Sequence, residues 1–221
     1  MPDPILTLSI FAVLVAVLAV VLWPGRGLWA RVRRVRRETE RVRLEDGLKH
    51  LLDSERSGRP VTLETMAGRL EVSRGEASEV LTKLTERGLA VAGPSGYGLT
   101  EAGRTYALRI LRTHRLWERY LADRTGVPAT EWHGHAERVE HELTEAEAEE
   151  LATRLGDPRY DPHGDPIPTA AGEIPARTGT PLSRVEPGRS AVIRHLEDEP
   201  DAVFERLVSA GLAPGEVLEV L

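Results

Sequence analysis

Residues 5–23, ILTLSIFAVLVAVLAVVLW, run for nineteen positions without a charge, Pro or Gly. Such a run must leave water as one piece. As a helix it rises roughly 28 Å at about 1.5 Å per residue, close to the thickness of a bilayer's hydrocarbon core. Trp23 sits where an interfacial aromatic belongs, and Pro24-Gly25 closes the run. Arg26, Arg31, Arg33, Arg34, Arg36 and Arg37 follow it, against Asp3 on the other side. That asymmetry predicts a transmembrane helix over 4–24 and a basic juxtamembrane linker over 25–37. The chain would then sit in the cell membrane, single-pass, with its C-terminal domains cytoplasmic. A cleaved signal peptide would want a basic start and a small-residue cleavage site, which are not found here. A buried core helix is the remaining alternative.

The other 198 or so positions read as globular, with 41% hydrophobic residues over the whole chain. The absence of Cys excludes disulfides, thiolate metal ligands and cysteine nucleophiles together. A net charge of −6 means that any nucleic-acid surface must be local. No Gly-rich phosphate loop, nucleophile elbow or HExxH sequence occurs, so no enzyme is expected.

A helix is predicted from about Glu38 to Asp53, broken by Ser57-Gly58-Arg59-Pro60. In LETMAGRL (63–70), Leu63, Met66, Ala67 and Leu70 share one helical face. After a turn at Glu71-Val72-Ser73, Ser73 and Glu76 form a capping box for a second helix, with Ala77, Val80, Leu81 and Leu84 as its apolar stripe. LAVAG, a turn at Pro94-Ser95-Gly96 and then YGLT predict a two-stranded wing. Helix, turn, helix and hairpin in that order is the winged helix-turn-helix pattern. Ser73, Arg74, Ser78, Thr82 and Lys83 are the candidate DNA contacts, opposed by Glu76 and Glu79. The alternative is a winged helix that binds protein.

Four of the seven His fall between 114 and 141, among carboxylates. His114 and Glu118 are four apart, hence on one helical face. After a break at Gly126-Val127-Pro128, a second helix places His133, Glu137, Glu140 and His141 within about a third of its circumference, with His135 pointing elsewhere. Carboxylates and imidazoles at this spacing on packed helices can build an internal metal site. A solvated charged face gives the same pattern, and a metallohydrolase using the same side chains remains a rival.

From Val42 to about Pro168 the chain resembles the diphtheria-toxin-repressor and manganese-transport-regulator family. The match is carried by ED-x-L at 45–48, LTEAGRTYA at 99–107, THRLWERYL at 113–121, HGHAERVEH at 133–141 and GDPIP at 164–168. The resemblance implies a winged helix followed by a helical metal-binding and dimerisation domain, and metal-dependent operator binding as a homodimer. It makes Asp46, His114, Glu118, His133, Glu137, Glu140 and His141 the metal ligands. Glu137 stands where the iron branch has a thiolate, and hard oxygen donors with imidazole suit Mn²⁺ or Fe²⁺. Lys49 departs from the pattern, standing where the manganese branch has a second carboxylate.

The C-terminal stretch from Pro181 reads as strand, turn, strand, helix, turn, strand and resembles the SH3-like domain of FeoA proteins, stopping short of a full barrel. His195 reads as a surface residue. The expected organisation is mainly α with small β: the transmembrane helix and juxtamembrane linker, a winged helix-turn-helix over 38–104, a metal-binding and dimerisation domain over 105–156, a linker over 157–179, and a partial FeoA/SH3-like domain over 180–221. The expected function is a Mn²⁺- or Fe²⁺-dependent, membrane-anchored, DNA-binding regulator of metal homeostasis. A membrane-bound metal-sensing adaptor is the alternative.

Overall fold

The computed structural model describes residues 28–198 and 200–220. The chain divides into two units, with the boundary between Asp46 and Gly47. That boundary falls inside the first helix, α1, Leu28–Ser57. Within the first unit, Arg41 and Glu45 pair one turn apart at 3.9 Å. The apolar run at 5–23 lies outside the described residues. Among the described residues no helix is long and apolar enough to cross a membrane.

The second unit begins with the end of α1, which runs past the expected stop at Asp53 to Ser57. Nothing opposes it before Gly58, whose φ of +67° turns the chain out of the helix. Two shorter helices follow, α2 (Leu63–Arg69) and α3 (Arg74–Glu86). Each opens on a capping box, Thr62 with Thr65 and Ser73 with Glu76. The second is the one the sequence predicts. It satisfies N–H groups that the first helical turn leaves without partners.

Leu48, Leu51, Leu52, Met66, Ala77, Val80, Leu81 and Leu84 are buried. The three helices approach closely at Gly47, where a Cβ would meet Val80 Cγ1 at 3.2 Å. Strands β1 (Ala90–Gly93) and β2 (Gly96–Leu99) form an antiparallel hairpin, and Val61 bridges to Tyr97 beside it.

Helix α4 (Glu101–Arg124) is capped by Thr100, whose hydroxyl accepts from the Gly103 N–H. Its first turn lies hard against Leu89. A Cβ on Gly103 would stand 1.8 Å from the Leu89 carbonyl oxygen. Helices α5 (Ala129–Val139) and α6 (Glu145–Arg154) complete the helical part. Leu116, Leu151, Ala152 and Ile167 form a core there, with Trp117, Tyr120, Leu143 and Leu155 around it.

Ile167 belongs to a stretch expected as linker, 157–179. Instead of solvated chain, its first part folds inward. Asp161, His163, Asp165, Pro166, Ile167 and Pro168 are buried. Asp161 N–H donates to the Asp165 carbonyl, Arg115 Nη1 donates to the Pro166 carbonyl, and Arg112 Nη1 donates to that of Pro168. Pro and Gly here shape a tight turn against α4, because Arg112 and Arg115 supply the donors that its carbonyls need.

Beyond a short 3₁₀ turn at Leu182–Arg184, β3 (Ser190–Val192) pairs antiparallel with β4 (Val217–Glu219), and helix α7 (Asp201–Ser209) lies between them in sequence. The described fold is therefore mainly helical, with small antiparallel sheets.

Candidate metal centre

Helix α4 carries His114 and Glu118 one turn apart on its buried side, at 5% and 2% exposure. His114 Nε2 faces Glu118 Oε1 at 3.1 Å. From α5, His133 Nδ1 approaches the same oxygen at 3.6 Å, and the two imidazoles stand 4.9 Å apart, edge to face. One donor atom from each of His114, Glu118 and His133 lies within 4.8 Å of the others. A transition ion with bonds of about 2.1 Å holds its ligand atoms roughly 3–4.2 Å apart. The separations of 3.1 and 3.6 Å from Glu118 fall in that range, so the trio could hold an ion.

A second group lies just past α5. The sequence puts Glu137, Glu140 and His141 on one helical face, but the helix ends at Val139, with Glu140 as its C-cap. The turn buries Glu140 and His141, while the Glu137 side chain remains about half exposed beside His133, at 3.4 Å. Glu140 is heavily engaged. Its Oε1 accepts from Lys49 Nζ at 2.7 Å, its Oε2 faces His114 Nδ1 at 2.5 Å, and His141 Nε2 stands 3.4 Å from Oε1. Lys49 thus supplies a cation to the carboxylate that the resemblance assigns to a metal. Asp46 lies in the first unit, half-buried. His135 is half-buried as well.

Three residues that sequence reasoning left out surround the first group. His163 Nδ1 is 3.8 Å from Glu118 Oε2 and 3.5 Å from Asp198 Oδ2, and Asp198 Oδ2 is also 3.5 Å from His133 Nδ1. Asp161 Oδ1 accepts the backbone N–H bonds of His163 and Asp165. The alternation D-x-H-x-D directly before PIP was the available signal, hidden because Pro and Gly around it read as linker. His195 is no surface residue: its Nε2 pairs with Asp165 Oδ2 at 3.2 Å and it is half-buried.

The electrostatics follow from these contacts. Burial pushes His133 down, but the carboxylates of Asp198, Glu118 and Glu137 outweigh it and lift its pKa to about 12. Burial also opposes the charge on His114, and Glu118 with Glu140 raises it regardless. Its two ring nitrogens each face a carboxylate, Glu140 at Nδ1 and Glu118 at Nε2. Burial would raise Glu118, yet His114 and His133 hold it well below the usual carboxylate range. Glu137 falls to about 2, chiefly through its bond with His133.

These shifts set the sign of a pH effect. The stability that His133 draws from its carboxylates is fully present below about pH 6.5 and is lost only as pH climbs towards its folded value near 12. A metal needs the neutral imidazole, so protons must leave as it binds. The rise in unfolding temperature that Mn²⁺ produces is therefore expected to grow as pH climbs above about 6.5 towards the folded value of His133, with proton release on binding. Calorimetry in buffers of different ionisation enthalpy checks this, and a pH-independent Mn²⁺ affinity would contradict it.

Comparisons with known proteins match the part of the chain that carries these residues. A family model described as iron dependent repressor, metal binding and dimerisation domain, matches residues 100–169, and a FeoA domain model matches residues 180–221. The chain is 33% identical over 181 residues to the iron-dependent repressor IdeR of Mycobacterium tuberculosis, covering 76% of this chain and 78% of that one. It is also 33% identical over 122 residues to the diphtheria toxin repressor of Corynebacterium diphtheriae, covering 55% of this chain and 54% of that one. A solved manganese-dependent transcriptional repressor, in complex with manganese, superposes with a TM-score of 0.71 at 33% identity, over 80% of this chain and 83% of that one.

These findings correct the expected cell-membrane localisation. The relatives named above are repressors, and no described helix can cross a membrane. The chain belongs to the iron-dependent repressor family, whose members are metal-dependent transcriptional regulators and not enzymes.

Proposed function

We propose that this chain is a Mn²⁺- or Fe²⁺-responsive repressor that binds a double-stranded operator as a homodimer. The observation that carries it is the trio His114, Glu118 and His133, the first two buried and the third half-buried, whose donor atoms lie within 4.8 Å of one another. Hard oxygens with imidazole favour Mn²⁺ and Fe²⁺ over softer ions. His114, Glu118 and His133 would hold the ion, which would supply a positive charge among these carboxylates. Glu140 and His141 are the candidates for a separate, regulatory position, and Glu137 lies beside His133. Asp46 joins them through the resemblance alone.

The DNA surface in this reading is α3 with the β1–β2 wing. Ser73, Arg74, Ser78 and Thr82 are exposed along α3, and Lys83 is half-buried. Arg74 Nη2 pairs with Glu64 Oε1 at 2.6 Å, both exposed. An exposed pair of this kind contributes little and yields readily to a phosphate. That pair, with Glu79 exposed nearby, also favours the second reading, a winged helix that docks on protein.

Titration of the full chain with Mn²⁺ against DNA from upstream of its own gene tests the proposal. Mn²⁺ should tighten binding by about 5- to 150-fold, the usual range of allosteric coupling, with a steep salt dependence. Glu140→Gln or His141→Ala should remove the stimulation, and His135→Ala should leave it. Equal DNA affinity with Mn²⁺ and with chelator would overturn the repressor reading, and a flat salt response would favour protein docking.

A further inference from the structure

Glu118 has two carboxylate oxygens, and the structure surrounds each with its own imidazoles. Oε1 faces His114 and His133. Oε2 faces His163 at 3.8 Å. His163 is 2% exposed, and neither ring nitrogen has a hydrogen-bond partner. A buried imidazole without such a partner is costly. Here it points among three carboxylates, since donor atoms of Glu118, Asp161 and His163 lie within 4.8 Å of one another and Asp198 Oδ2 is 3.5 Å from His163 Nδ1.

We propose that His163, Asp161 and Asp198 form a second divalent-cation site, joined to the first through Glu118 as a bridging carboxylate. One imidazole and three carboxylates is a hard donor set suited to Mn²⁺ or Fe²⁺, with water completing the shell. Ions sharing one carboxylate sit about 3.5–4 Å apart, which the separate facing of the two Glu118 oxygens accommodates. The surroundings hold the donors in place. Asp161 Oδ1 is fixed by the N–H groups of His163 and Asp165, and the other oxygen lies 3.6 Å from Arg115 Nε. Outer contacts of this kind orient ligands.

The site also draws in the C-terminal segment. Leu196 N–H donates to the His163 carbonyl, Phe204 packs edge-on against the His163 ring, and Gly164, at φ +93°, leaves room for the Arg194 carbonyl at 2.0 Å from where a Cβ would be. Occupancy would therefore hold Asp198 against the helical part, beside the contacts of Arg194, Leu196 and Phe204.

The proposal rests on the metal reading of His114, Glu118 and His133, and the test separates the two. The full chain, stripped with chelator, is titrated with Mn²⁺, and bound ions are counted by equilibrium dialysis and examined by electron paramagnetic resonance. Wild type should hold a spin-coupled Mn²⁺ pair. His163→Phe keeps the ring contacts with Phe204 and Trp132 while removing both nitrogens, so it should bind one Mn²⁺ fewer and show only uncoupled ions. Asp161→Asn still accepts the two N–H bonds and should weaken the second Mn²⁺ by about tenfold or more. Unchanged count and spectrum in His163→Phe overturn the second site alone. An unchanged count in His114→Ala overturns the first.

Discussion

Glu118→Gln is expected to lower Mn²⁺ affinity by more than about a hundredfold while leaving the chain folded. The substitution keeps the shape and removes the charge that three imidazoles face. Loss of a partner outside the coordination shell already costs about 10- to 100-fold, so loss of an anionic ligand should exceed it. Glu118→Ala should behave differently in the metal-free protein. It leaves the imidazoles that face Glu118 without their shared carboxylate, and breaking a buried pair destabilises by about 3 to 5 kcal/mol. Calorimetry with Mn²⁺ reads the first effect and urea unfolding in chelator the second. If Glu118→Gln binds Mn²⁺ as wild type does, the cluster is a buried ion-pair network with no role in sensing.

The second large effect is on stability. Gly103→Ala would drive a methyl into the Leu89 carbonyl, a backbone atom with no rotamer to escape through. That carbonyl accepts from the Thr100 N–H, so it is tied to the very turn that would have to move. Overpacking against side chains costs about 1–3 kcal/mol, and a clash with backbone belongs at the top of that range. For a chain of this size about 3 kcal/mol lowers the unfolding temperature by roughly 6 to 12 °C. A thermal scan showing no shift would mean that α4 can slide away from Leu89 freely.

Much of the helical order was readable before any coordinates. Ser73 and Glu76 announced the start of α3, and the stripe Ala77, Val80, Leu81, Leu84 announced its buried face, because both signals are local. His114, Glu118 and His133 were also legible, as helix spacing fixes which residues of one helix can meet. What escaped were contacts between segments far apart in sequence. No periodicity links Asp198 to His133, or the turn at 161–165 to α4. The turn was misread because Pro and Gly mark both solvated linkers and tight buried turns, and only Arg112 and Arg115 reaching its carbonyls decides between them. Glu140 and His141 were expected on a helical face, but α5 stops at Val139, so a turn carries them inward. The apolar run at 5–23 was the most conspicuous feature of the sequence, yet the family relationship rests on residues beyond it.

The bond from Lys49 to Glu140 bears on how such a sensor is calibrated. An ammonium tethered 2.7 Å from a candidate ligand oxygen would act as a resident competitor whose local concentration never falls. Any divalent ion that uses Glu140 must first displace it, so half-occupancy moves to higher free-ion concentration than the same carboxylate would need without a lysine beside it. If Glu140 takes a metal, trace ions would then leave the position unfilled, and the Lys49 side chain would help set the threshold for a response.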